Sequence, residues 1–136
     1  MPHYRCFIPQ DALSFDQRQE IALAFTDIHC GSTGAPRSFV SVTFLETPEG
    51  ETHKHGQGFY LDGGNRAGRP EEVKQQLLSD LTNAFARVAG VSPTDIPGRI
   101  TENPASWTME GGFVLPEPGQ EGPEWYAAAE AAAAAD

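Results

Sequence analysis

Basic residues are scarce in this chain. Lys and Arg together number nine against nineteen Asp and Glu, for a formal net charge of −10. A nucleic-acid partner needs a basic face, so none is expected. Cysteine is rarer still. Cys6 and Cys30 are the only two, without the spacing of a disulfide framework, and they predict reduced thiols in a cytoplasmic protein. No apolar run is long enough to span a membrane, and no basic-then-apolar leader opens the sequence, so neither a membrane nor a secretory route is expected. What is present is 136 residues, enough for one domain that buries about 68% of its unfolded surface.

The first eight residues, Met1-Pro2-His3-Tyr4-Arg5-Cys6-Phe7-Ile8, alternate as a strand and predict one from Pro2 to Ile8. Pro2, Tyr4, Cys6 and Ile8 share one face; His3, Arg5 and Phe7 share the other. Ser14 with Gln17 three residues on is a capping-box start. The helix behind it repeats Ile21, Ala24, Phe25 and Ile28 at a 3.6 period and stops near Cys30–Gly34, which puts His29 in its last turn. Phe39–Leu45 reads as a second strand, with Val40, Val42 and Phe44 on its apolar face. Glu46–Gly58 is polar and predicts an exposed loop. A short third strand at Phe59–Leu61 gives way to a loop over Asp62–Arg69. Pro70 is placed as a first helical residue, followed by Glu71 and Glu72 in the favourable first turn. Val73, Leu77, Leu78, Leu81, Phe85 and Val88 form the apolar stripe of a second helix. A fourth strand is expected near Gly98–Glu102, and Gly111-Gly112 predicts a hairpin. The end of the chain, from Tyr126, is nearly all alanine and predicts a frayed helix or disordered tail.

The pattern repeats. Glu46-Thr47-Pro48 and Glu102-Asn103-Pro104 lie 56 residues apart, and the same offset carries Ile21 onto Leu77, Phe25 onto Leu81 and Pro2 onto Gly58. The expected fold class is therefore α+β: two consecutive βαβ units forming one four-stranded mixed sheet with both helices on one face. The other face, with Phe7, Phe39 and Leu45 among Arg5, Ser41 and Thr43, has no evident cover within the chain, which predicts an oligomer.

Pro2 is either an accident of processing or the start of the chemistry. Initiator Met is commonly removed before proline, and its loss would leave a secondary amine that can act as acid, base or nucleophile. Arg66 and Arg69 stand on a Gly-rich stretch before a helix. They are either a solvated turn paired with Glu71 and Glu72 or an anion site for a carboxylate or phosphate. His29 is either a cation on the helix dipole or a hydrogen-bond donor to a substrate oxygen. Glu110 is either a surface acid or a base that activates water. His53-Lys54-His55 carries two metal-type ligands but no third at suitable spacing, so no metal is expected.

Several stretches, in order, resemble one family. They are Pro2-x-Tyr4, Thr26-Asp27-Ile28-His29 with Thr33-Gly34 beyond, Arg66-Ala67-Gly68-Arg69, Met109-Glu110, Leu115-Pro116-x-Pro118-Gly119 and Glu124-Trp125. The chain resembles the tautomerase superfamily, and within it the cis-3-chloroacrylic acid dehalogenase group. The resemblance implies a tautomerase-like domain over residues 1–125 with an Ala-rich tail at 126–136, no cofactor and a homotrimer. It implies Pro2 as the catalytic amine, Glu110 as the residue that positions or activates water, and His29, Arg66 and Arg69 as ligands of a small carboxylate substrate. The family's water-activating tyrosine falls at Arg99, which cannot serve as that base but could add a third cation. Hydration or dehalogenation of unsaturated acids, at a low rate, is the expectation; keto–enol tautomerisation of 2-oxo acids and a non-catalytic binding role are the alternatives.

Overall fold

A computed structural model describes residues 2–135. Met1, whose removal is expected, and Asp136, the end of the expected tail, lie outside the described residues. The elements run β1 (His3–Pro9), α1 (Phe15–Thr33), β2 (Ser41–Thr47), β3 (Tyr60–Arg66), α2 (Glu71–Ala89) and β4 (Gly98–Asn103), then a hairpin of β5 (Met109–Glu110) and β6 (Phe113–Val114), then α3 (Pro123–Ala135). The sheet order is β2-β1-β3-β4. Strands β1 and β2 are parallel, as are β3 and β4, and the two βαβ units meet through antiparallel β1 and β3.

Local chemistry explains the helices. Ser14 Oγ accepts from the Gln17 amide at 3.1 Å, and the Gln17 side chain accepts from the Ser14 amide at 2.8 Å, closing the capping box. Gly34 ends α1 in the left-handed region at φ 73°, where only glycine is free of Cβ strain. Pro70 is the N-cap of α2 rather than its first helical residue; its carbonyl accepts from the amides of Val73 and Lys74.

Helices α1 and α2 cover the same sheet face. Tyr4, Cys6 and Ile8 from β1 and Leu61 from β3 pack with Ile21 and Phe25 from α1 and Leu77, Leu81 and Phe85 from α2. Burying each of the large apolar side chains contributes about 1.5–3 kcal/mol. The repeat holds with one adjustment. The helices keep the 56-residue offset, Phe15 to Glu71, but β1 and β3 begin 57 apart, at His3 and Tyr60. Faces alternate along a strand, so a shift of one flips the side chain across the sheet. The counterpart of buried Tyr4 is buried Leu61, and that of Pro2 is Phe59 rather than Gly58.

Three further expectations are corrected. Strand β3 runs through Asp62-Gly63-Gly64-Asn65 to Arg66, where a loop was expected, because pairing with a strand on each side outweighs poor strand composition. Gly63 has a packing reason to be there: a Cβ on it would lie 3.0 Å from the Tyr4 ring. Strand β2 starts at Ser41, since Arg37–Phe39 is a 3-10 turn, so Phe39 leaves the sheet face. The polar stretch before β3 folds back over the face opposite the helices instead of standing free. His53 stacks on Phe7 at 4.8 Å, His55 stacks on Tyr60 at 3.9 Å, and Lys54 and His55 approach Asp62 at 3.5 and 3.6 Å. The two histidines are aromatic cover for the sheet.

Candidate active site

The pocket forms where β1 begins and β3 ends, which antiparallel pairing places side by side. Pro2 precedes β1 and is buried. Its carbonyl accepts from the Ser41 amide at 3.1 Å, so the β1–β2 ladder extends back to hold it. Arg66 is the last residue of β3. Gly68 turns the chain at φ 115° and brings Arg69 to the same opening. Glu110 comes from β5. Together with Ala35, Phe39, Asn65, Leu115 and Trp125, the five residues Pro2, His29, Arg66, Arg69 and Glu110 wall one narrow pocket.

His29 is buried at 1% exposure. Helix α1 runs a full turn beyond it, so it is not in the last turn, and it is not a solvated cation on the dipole. Burial first, then the charges of Arg69 and Arg66, lower its pKa to about 4, so the ring is neutral near pH 7. Its Nδ1 lies 2.7 Å from the Tyr4 hydroxyl, and the Asn65 side-chain amide donates to that hydroxyl at 3.3 Å. Its Nε2 is buried with no hydrogen-bond partner among the described residues. Burial pushes the Tyr4 phenol up to about 12, against the Asn65 hydrogen bond and the Arg69 charge.

The arginines are not a solvated turn paired with Glu71 and Glu72. Glu71 pairs with Lys74. Arg66 is buried beside Trp125, with its guanidinium 5.7 Å from that ring, and donates to the Pro116 carbonyl and, at 2.7 Å, to Glu121. Burial opposes ionisation of Glu121, but the Arg66 hydrogen bond and charge hold its carboxyl below the ordinary value. Arg69 is half-buried; burial and the neighbouring Arg66 charge lower its pKa. Two guanidiniums crowded at one opening are stabilised by an anion between them.

Arg99 is not brought to this pocket within the chain. It stands on β4 across the sheet from the helices, donates to Asp62 at 3.4 Å and lines a separate depression with His3, Arg5 and Lys54. Tyr4 and Asn65 are site residues that sequence reasoning left without a role. Their roles depend on contacts across 25 and 61 residues, which no local spacing announces. Phe39 and Trp125, which meet edge to face at 5.0 Å, form the apolar wall.

A family model described as "Putative oxalocrotonate tautomerase enzyme" matches residues 1–130. The chain belongs to this tautomerase family. Among solved structures, the fold is similar to that of N1, a member of the cis-3-chloroacrylic acid dehalogenase family, at a TM-score of 0.82 and 28% identity over 92% of this chain and 90% of that one. It is also similar to native Ps01740, at 35% identity and a TM-score of 0.73 over 79% of this chain and 99% of that one. Malonate semialdehyde decarboxylase, at 22% identity and a TM-score of 0.63 over 82% of this chain and 92% of that one, shares the fold. No curated protein matches the chain in sequence. This tautomerase fold carries no helix, among the described residues, long and apolar enough to cross a membrane.

Proposed function

We propose that the chain is an amino-terminal-proline enzyme that adds water to small unsaturated carboxylates, in the manner of a cis-3-haloacrylate hydratase or dehalogenase. The observation that carries this reading is that Pro2 and Glu110 wall the same narrow pocket as the two arginines. Arg69 and Arg66 bind the substrate carboxylate, and His29 donates a hydrogen bond to it. A protonated Pro2 gives its proton to the carbon next to the carboxylate. Glu110 takes a proton from water as the water oxygen bonds to the far carbon. If that carbon bears a halogen, the product holds hydroxyl and halide on one carbon and collapses to a carbonyl with loss of halide and a proton. By the sequence resemblance Arg99 stands where the family has its water-activating tyrosine, so this chemistry is expected to be slow. A homotrimer fits the exposed apolar side chains Trp107, Met109 and Phe113 around Glu110; a fused 4-OT of the same fold is described as an asymmetric trimer.

Keto–enol tautomerisation of 2-oxo acids is the second reading, favoured by the description of the family. It needs Pro2 and the arginines but no activated water. The test begins with intact mass, which is expected to show Met1 absent, and with 2-oxo-3-pentynoate, the compound that inactivates the related-fold protein Pt0534. The label is expected on the Pro2 nitrogen. A label elsewhere, or full activity with Met1 retained, overturns the proline mechanism. Assaying Glu110→Gln with a cis-3-haloacrylate and with an enol then separates the readings: hydration is expected to fall by a factor of about 10² or more while ketonisation survives.

A further inference from the structure

We infer that Tyr4 and Asn65 are positioning residues that fix the tautomer of His29, holding its single ring proton on Nε2 so that the imidazole presents an N–H donor to a substrate oxygen. The inference rests on the reading that the pocket takes small carboxylates, and it deepens that reading.

The wiring follows from counting donors and acceptors. With the Asn65 side-chain amide in this orientation, its nitrogen can only donate, so the Tyr4 oxygen accepts from it; turned over, the amide would reverse the wiring, and nitrogen NMR separates the two. The phenol is fully buried, and its own proton needs an acceptor. His29 Nδ1, at 2.7 Å, provides one. A ring nitrogen that accepts a hydrogen bond carries no proton, so in the neutral imidazole the proton sits on Nε2. The ring is held neutral by burial and by the adjacent guanidiniums of Arg69 and Arg66; Glu110 is the acid that lines the same pocket. Nε2 has no partner among the described residues, which leaves its N–H for a ligand. The opposite wiring would turn a lone pair toward the carboxylate that the two arginines attract, and the two would repel. Tyr4 and Asn65 thus act on substrate only through His29.

The test reads the tautomer directly, by nitrogen NMR of 15N-labelled protein near pH 7, with His29→Gln used to assign the His29 signals. A pyridine-type resonance on Nδ1 and a pyrrole-type resonance on Nε2 are expected; the reverse pattern overturns the inference. Tyr4→Phe keeps the ring and removes the hydroxyl. It should mix the two tautomers and release the ring from its fixed orientation, together lowering kcat/KM about tenfold, the size of one hydrogen bond. His29→Gln offers an amide N–H near the Nε2 position without needing a tautomer, so adding Tyr4→Phe to it should cost less than about twofold. An equal tenfold cost in both backgrounds would show that Tyr4 only packs. If no small carboxylate is turned over, the function reading fails, and the NMR spectrum still decides the wiring.

Discussion

The two ends of the central strand pair are built on one plan and differ in chemistry. Strands β1 and β3 are antiparallel counterparts, so the start of β1 beside the end of β3 at one end of the sheet mirrors the start of β3 beside the end of β1 at the other. At the first end lies the narrow pocket of Pro2, His29, Arg66 and Arg69. At the second lies a wider cleft lined by Pro9, Gln10, Asp11, Thr47, Glu49 and Glu51, with no cation among its lining residues. Residue by residue the contrast is sharper. Tyr4 and His29 correspond to Leu61 and Phe85, all four essentially fully buried, and Arg66 corresponds to Pro9. The second half shows what the repeat places at these positions when packing is the only requirement: an apolar pair. A buried tyrosine–histidine pair meets no packing need that leucine and phenylalanine do not meet, and a buried polar group costs stability unless it is hydrogen-bonded. Its presence at the first end supports the reading proposed for the pocket there.

The strongest way to test that contrast is to make the first end like the second. The double substitution Tyr4→Leu/His29→Phe copies the Leu61–Phe85 pair into the pocket. A folded protein with intact Pro2 is expected, with turnover of small carboxylates reduced by a factor of about 10² or more, the usual effect of losing a preorganised donor. Circular dichroism and kcat/KM on the same sample decide it. Activity within threefold of wild type would mean that the polar pair is a packing variant.

The same variant sharpens the contrast through pH. The His29 pKa is lowered to about 4 in the folded chain, against 6.5 for the free side chain. Between those values the unfolded chain binds a proton that the folded chain does not, so stability falls as pH drops from 6.5 towards 4. The shift corresponds to about 3 kcal/mol over that window. Denaturant unfolding at pH 7 and pH 4 should therefore show wild type losing about that much more than Tyr4→Leu/His29→Phe, whose remaining carboxylates titrate alike. Parallel losses in both proteins would show that the imidazole is not held neutral.

The residues legible in advance were those whose signals are local. Ser14 and Gln17 announce the start of α1, Gly34 its end, and Gly111-Gly112 the hairpin, because each acts within three or four residues. The repeat was legible because two similar units must bury similar stripes. Strand β3 was not, since Asp62-Gly63-Gly64-Asn65 makes sense only with β1 and β4 on either side and the Tyr4 ring above Gly63. Pro2, His29, Arg66, Arg69 and Glu110 were named from the sequence and line one pocket. Arg99 was named with them, but the alternation of β4 places it on the far face of the sheet, opposite Asp62 of β3. Asn65, Tyr4 and Glu121 received no role because each acts through a contact 25 to 61 residues distant.

Glu121 supplies the smallest expected effect. The acidic cleft at the second end has no guanidinium to neutralise. At the first end Arg66 already holds a carboxylate, that of Glu121, which also accepts from the Gly119 amide at 2.8 Å. Glu121 lies outside the repeat, on the segment that brings Leu115 and Trp125 over the pocket. A substrate carboxylate must either displace it from Arg66 or bind through Arg69 alone. Glu121→Gln keeps the shape and the hydrogen bond but removes the charge. If displacement is required, KM for small carboxylates should fall about three- to tenfold, roughly the net worth of a charge-assisted hydrogen bond partly offset by the amide that remains; kcat should change less. Arg69→Ala, which leaves only the occupied guanidinium, should then raise KM more in wild type than in Glu121→Gln. A KM that rises in Glu121→Gln would show that the carboxylate holds Arg66 in its binding position instead of competing for it.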